Sequence, residues 1–359
     1  MSARNFDADI ETGNGASLMK MSANRGAGRL FATLALLAVG SGVLAASAQK
    51  PFKVEARWKI GGEGSWDYLT VDSAAKRLYI AHKTKVDVVD LTTGKEIGTV
   101  IGLTGSHGVV LSPDGKTGFV SDGGANAVVV FDLNSLQQTD KIATGTNPDG
   151  MAYEPVTGTL WAFNGGSKNA TVINIESHKV VGTVALPGKP EFPVVDGAGA
   201  VFVNIEDKNA VVRIDATTMK PTATWTLSGC ESPSGQAIDV VGSRLFAVCD
   251  GKKMAVTDLK TGKSLATPTI GEEPDATAYD AKADLAFSSN GDGTLTVIDV
   301  ANGYKVLQTL QTMKGARTLQ LDPSTGKVYL VSAELKLVPG AKRPSALPNT
   351  FTVIVVSRD

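Results

Sequence analysis

Gly293-Thr-Leu-Thr-Val-Ile-Asp-Val-Ala-Asn-Gly303 is a strand, an acidic stop and a tight turn in eleven residues. Apolar and polar side chains alternate through Leu295 and Val297, the period-two pattern of a strand. Asp299 follows, and its short carboxylate can accept backbone N–H groups of the next turn. Asn302-Gly303 is expected to supply the positive φ that a tight hairpin requires. The same unit recurs as Val86–Asp90, Val128–Asp132, Thr171–Asn174, Val211–Asp215 and Ala255–Asp258.

The stop residues are Asp90, Asp132, Asn174, Asp215, Asp258 and Asp299, spaced by 42, 42, 41, 43 and 41 residues. Phe351–Val356 is a seventh copy without the Asp, after a longer gap. A repeat of about 40–45 residues carrying four strands is the signature of a β-propeller blade. One blade cannot bury both faces of its sheet, but neighbours in a ring can. The sequence therefore predicts an all-β chain: a seven-bladed β-propeller of four-stranded antiparallel blades. Blades are expected over 65–101, 106–144, 147–187, 190–229, 232–271 and 274–312, with the seventh over 315–357.

The seventh blade lacks a fourth strand at its C-terminal end. Phe52–Ile60 reads like the fourth strands Lys95–Val100 and Lys179–Val184, yet follows no first, second or third strand. It is expected to complete the last blade and close the ring, with Trp58 packed in the seam.

Upstream, Lys20, Arg25 and Arg29 precede an apolar run from Leu30 to Leu44, and Ala46-Ser-Ala48 is an A-x-A site. This is the pattern of a secretory leader over residues 1–48, with Gln49 the first mature residue and translation starting at Met1, Met19 or Met21. The run is short for a transmembrane span and broken by Gly40 and Gly42, so no span is expected after cleavage. A retained anchor is the alternative. Localisation is thus expected to be periplasmic or secreted. The two cysteines, Cys230 and Cys249, fall at adjacent ends of antiparallel strands in blade five, which predicts a disulfide across that end.

The net charge of the chain is −1. That balance gives no electrostatic reason to bind nucleic acid or an anionic membrane. A monomer is expected. Gly-x-Ser-x-Gly, His-Glu-x-x-His, Cys-x-x-Cys and phosphate-loop patterns are absent. Gly123-Gly124 and Gly165-Gly166 read as turn glycines. No catalytic residue is assigned.

Repeat position converts into space. The residue just before each first strand is expected at one mouth of the central channel, which collects Asp67, His107, Asp149, Glu191, Ser234, Asp275 and Arg317. The loops after the second strands are expected to bring His82, Asp122, Asn164, Glu206, Asp250 and Asn290 to the same face. His178 falls at the opposite face. Converging carboxylates and an imidazole could hold a divalent metal ion, could serve as acid and base, or could simply pair with Arg317. The long connection Glu334–Asn349, with Pro339, Pro344 and Pro348 beside Lys336, Lys342 and Arg343, is expected to cover part of that mouth.

The units Asn147-Pro-Asp-Gly-Met-Ala152, Val172-Ile-Asn174 and Thr296-Val-Ile-Asp-Val300, and the ending Phe351–Val356 after a proline-rich basic loop, resemble the YVTN-type repeat. Over its mature length the chain is similar to the YncE-like exported β-propellers of bacteria. That resemblance implies an exported binding protein that takes a small ligand or a periplasmic protein partner at one mouth. More distant similarity to sugar-lactone hydrolases implies a metal-dependent mouth as an alternative. Similarity to the heavy chains of quinoprotein amine dehydrogenases implies a scaffold subunit of a redox complex.

Overall fold

The computed structural model describes residues 50–337 and 344–358. The expected leader and its cleavage site lie outside the described residues, as do Pro339, Lys342 and Arg343. Among the described residues, no helix is long and apolar enough to cross a membrane.

Seven four-stranded antiparallel sheets follow one another around a ring. The first sheet shows the pattern: Leu69–Asp72, Arg77–His82, Lys85–Asp90 and Glu96–Val100 pair in chain order. The next five repeat it, beginning at Ser106, Pro148, Pro190, Gln236 and Pro274. The outer strands are the most exposed, and some, such as Lys220–Thr226, alternate between exposed and half-buried positions. The second and third strands lie between two neighbouring blades and are buried on both faces, so they read as continuous apolar runs such as Ala127–Asp132.

The seventh sheet breaks chain order. Leu319–Leu321, Val328–Ser332 and Thr352–Ser357 are completed by Lys53–Lys59 from the other end of the chain. Lys53 pairs with Ser357 and Lys59 with Thr352. Phe52 is buried beside Phe287, ring centroids 5.3 Å apart and edge to face. The Gln308 side chain clasps the Phe52 backbone from both sides, accepting from its N–H at 2.8 Å and donating to its carbonyl at 2.7 Å. Trp58 packs in the seam as expected, against Tyr329 of blade seven and the Gly94 turn of blade one.

The core proves closure. Among the described residues it divides into seven apolar clusters, one in each gap between neighbouring blades. An open row of seven sheets has only six gaps. The seventh cluster joins Leu69, Leu78 and Ile80 of the first blade to Tyr329, Val331 and Val353 of the last.

The stop residues act as turn caps. Asp90 Oδ1 accepts from the N–H groups of Thr92 and Thr93 at 3.0 and 2.7 Å, and Asp132, Asp215 and Asp258 repeat the arrangement. One detail differs from expectation. Positive φ falls on Gly303 and Tyr304 rather than on Asn302. Asn302 instead donates its N–H and its side-chain amide to Asp299. The left-handed residue sits four positions after the cap in other blades too, at Gly94, Leu136, His178, Met219 and Gly262. The cap holds the turn firmly enough that a non-glycine residue takes that conformation in three of them.

The cysteines of blade five form the expected disulfide, Cys230–Cys249, with Cα atoms 5.2 Å apart. The long connection in blade seven is more ordered at its base than a simple loop. Leu335–Lys336 pairs with Ser345–Ala346 in a short hairpin.

Candidate functional site at the channel mouth

The ring positions reach the axis through a local distortion that repeat counting does not show. His107, Asp149, Glu191 and Asp275 each lie where the first strand slips register against the second. In blade three, for example, Pro148 pairs with Asn164 and Met151 with Ala162, so Asp149 and Gly150 together oppose one residue. Such a bulge bends the strand and re-aims a side chain. Glycine follows the ring residue where neighbouring strands crowd together. A Cβ at Gly150 would lie 2.6 Å from Pro193 Cδ, and one at Gly235 would lie 2.5 Å from the Asp275 carbonyl. Backbone bonds stitch neighbouring first strands at this level: Tyr68 N–H donates to the His107 carbonyl, and Ala276 N–H to the Arg317 carbonyl.

The seven positions do not form one continuous ring of contacts. They resolve into two halves. In the first half, His107 Nδ1 is 2.7 Å from Asp67 Oδ2 and 3.6 Å from Asp149 Oδ1. Glu191 lies beyond Asp149 and pairs with Lys189 Nζ at 2.6 Å; the same ammonium also holds Glu206. Tyr68 and Phe192, each one position past a ring residue, meet edge to face at 5.0 Å.

Burial of these carboxylates changes their acidity. Burial and the nearby Asp67 push Asp149 up to about 6, against the pull of His107 and Lys189. Burial and Asp149 push Glu191 up to about 8 even beside Lys189. Burial alone would lower His107, but its bond to Asp67 and the charges of Asp149 and Glu191 outweigh that and raise it to about 9. Burial lifts Asp67 as well. Of that pair the imidazole is the better proton holder, because three carboxylates face it.

In the second half, a cavity of about 900 Å³ opens among blades four to seven and the adjoining edge of blade one. Glu206, Ser234, Asp250, Glu273, Asp275, Lys83 and Arg317 line it, with Leu335 and Pro344–Ala346 of the long connection and Gly64–Trp66. Arg317 Nε is 3.2 Å from Asp275 Oδ2. None of Asp67, His107, Asp149 and Glu191 lines this cavity. Burial, together with Glu206, Glu231 and Glu273, raises Asp250 above the usual carboxylate range. The Cys230–Cys249 bridge and the bond from Asp250 N–H to the Glu231 carbonyl, 2.8 Å, fix that wall.

The positions expected from the second-strand loops divide. Glu206 and Asp250 reach the cavity. Asp122 is buried and accepts from the N–H groups of Thr104 and Gly105. Asn164 is buried against Asn169 and Thr171, and Asn290 against Thr294 and Thr296. His82 is buried, stacks on Phe351 and bonds Asp87 at 2.7 Å. These four hold strand ends together and do not line the cavity, because the last residue of a second strand is covered on both sides. His178 lies in an outer turn against Asp140, away from the first strands. Sequence reasoning missed Lys189, Glu273 and the Tyr68–Phe192 pair. Their signal was adjacency: Lys189 and Glu273 each precede a first-strand proline, and Tyr68 and Phe192 follow a ring position.

Comparison with known proteins supports the architecture. No protein-family model matches the sequence, and no curated protein does. Solved structures match in shape. The WD40 repeats of RRP9 align with TM-score 0.72 at 14% identity, covering 87% of this chain and 98% of that one. A streptogramin B lyase aligns with TM-score 0.68 at 15% identity, over 86% and 98% of the two chains. Hydrazine synthase of Kuenenia stuttgartiensis aligns with TM-score 0.68 at 16% identity, over 77% and 94%. At such identities the likeness shows the fold alone. The class it defines, with the ring described above, is the seven-bladed β-propeller.

Proposed function

We propose that this chain is an exported, non-catalytic β-propeller of the YncE-like kind that binds a small organic cation in the mouth cavity. The observation that carries the reading is the lining of that cavity. Glu206, Asp250, Glu273 and Asp275 face it against two cations, Lys83 and Arg317. Arg317 is already paired with Asp275. Glu206 is paired with Lys189, so an ammonium or amidinium group would chiefly answer Asp250 and Glu273, and the cavity size suits a small molecule. The leader-like N-terminus and the Cys230–Cys249 disulfide support export to an oxidising compartment.

The test is a thermal-shift screen of the purified chain against matched small amines, amino acids, sugars and carboxylates. Amines should raise the melting temperature, and Asp250→Asn with Glu273→Gln should remove that rise. Stabilisation by carboxylates alone, or a rise untouched by the double variant, refutes the assignment. Export is checked by cell fractionation and by N-terminal sequencing, which should begin at Gln49.

A further inference from the structure

We propose that Asp67, His107 and Asp149 form a binding site for one divalent first-row metal ion of the zinc class. The proposal concerns the half of the mouth outside the cavity and does not rest on the ligand reading above. Candidate ligand atoms of the three side chains lie within 4.8 Å of one another. Among the described residues, this is the one group of three or more His, Cys, Asp and Glu so placed.

The geometry suits such an ion. With metal–ligand bonds of about 2.0–2.2 Å, tetrahedral neighbours lie about 3.3–3.6 Å apart. His107 Nδ1 and Asp149 Oδ1 are 3.6 Å apart. The Asp67–His107 hydrogen bond, 2.7 Å, has to open by less than about 1 Å to reach that spacing. One imidazole and two carboxylates are a borderline donor set that favours zinc-class ions over calcium or magnesium. The side chains of Asp67 and His107 are about one-quarter exposed, which leaves the channel side open for water as a further ligand.

A second observation points the same way. Asp149 Oδ1 is buried and has no hydrogen-bond partner. A buried carboxylate oxygen without a donor is costly. The Asp67–His107 bond satisfies Nδ1 and leaves that oxygen only a 3.6 Å contact with the imidazole, whereas a cation between the three would engage it directly. The scaffold is also set in advance. The ligands come from three consecutive blades, His107 and Asp149 sit on bulges, and Gly108 and Gly150 let those strands approach. Little ordering remains to be done on binding.

The experiment uses the untagged chain, stripped with chelator and titrated with Zn²⁺ by calorimetry, with Co²⁺ visible absorption as a readout of ligand geometry. One ion per chain should bind and raise the melting temperature. His107→Ala and Asp149→Asn should each weaken binding by more than the ~10–100-fold typical of losing an outer partner, and should abolish the Co²⁺ bands. His178→Ala, which removes the surface histidine beside Asp140, should change neither. If His107→Ala does not fold, the near-isosteric Asp149→Asn carries the test. Absence of saturable binding, equal binding by Asp149→Asn and the unaltered chain, or loss of binding in His178→Ala overturns the assignment.

Discussion

Replacing Phe52 with alanine tests ring closure directly. The side chain is buried in the cluster between blades six and seven, against Phe287, Leu285 and Val356. It lies more than 230 residues before Phe287 in the chain, so its contacts exist only if the N-terminal strand is in place. Truncating a buried phenylalanine costs about 3–5 kcal/mol, which includes the edge-to-face contact. At about 2 °C per kcal/mol for a large domain, the melting temperature should fall by about 6–10 °C. Gln308→Leu removes the two bonds that hold the Phe52 backbone, for about 1–3 kcal/mol at the usual net worth of each. Because both changes loosen one clasp, the double variant should lose less than the sum. Urea unfolding followed by tryptophan fluorescence is the assay, since Trp58 lies on the same closing strand, packed between blades seven and one. Val241→Ala, at a fully exposed position, should stay within about 0.5 kcal/mol of the parent. A loss below about 1 kcal/mol for Phe52→Ala would refute closure by this strand, because no buried phenylalanine in a packed core is removed so cheaply.

Further expectations concern the disulfide, the buried carboxylate and the blade contacts. Cys230 and Cys249 are 19 residues apart, so reduction should remove about 3 kcal/mol and lower the melting temperature by about 6 °C, with thiols alkylated only after reductant; an unchanged melt refutes it. Glu191 is pushed from its ordinary 4.5 up to about 8, so the folded chain keeps a proton that the unfolded chain releases. Its destabilising contribution is therefore absent below about pH 4.5 and grows until about pH 8, and in chelator Glu191→Gln should show a flatter decline over pH 5–8; parallel profiles would sink the argument. Gly262→Ala forces a Cβ to within 2.1 Å of Trp225 at φ +70°, whereas Gly115→Ala, at φ +67°, meets nothing within 4 Å. Both should destabilise in thermal melts, Gly262→Ala by about 1–3 kcal/mol more, and equal losses would show that Trp225 does not press on that turn.

Blade count, strand order, turn caps and the disulfide were all legible in one dimension. The stop residues recur every 41–43 positions, and a fixed period sets the angle of each blade about the axis without any further information. The orphan strand Lys53–Lys59 could be placed because a sheet edge needs a partner and only one blade lacked a strand. The mouth was legible only as a set of positions. Which positions meet depends on bulges such as that at Asp149 and on how far a neighbouring blade lets a side chain lean, and both are non-local. Thus Asp67, His107 and Asp149 converge, while Asp275 and Arg317 turn to a separate cavity. Lys189 joins the two halves by pairing with both Glu191 and Glu206, and Glu273 adds a carboxylate to the cavity. His82, Asp122, Asn164 and Asn290 end their second strands and are buried as struts, whereas Glu206 and Asp250 lie one residue beyond a strand end and reach the cavity. Period fixes direction around a ring; depth and partnership come from packing, which the sequence encodes only through residues hundreds of positions apart.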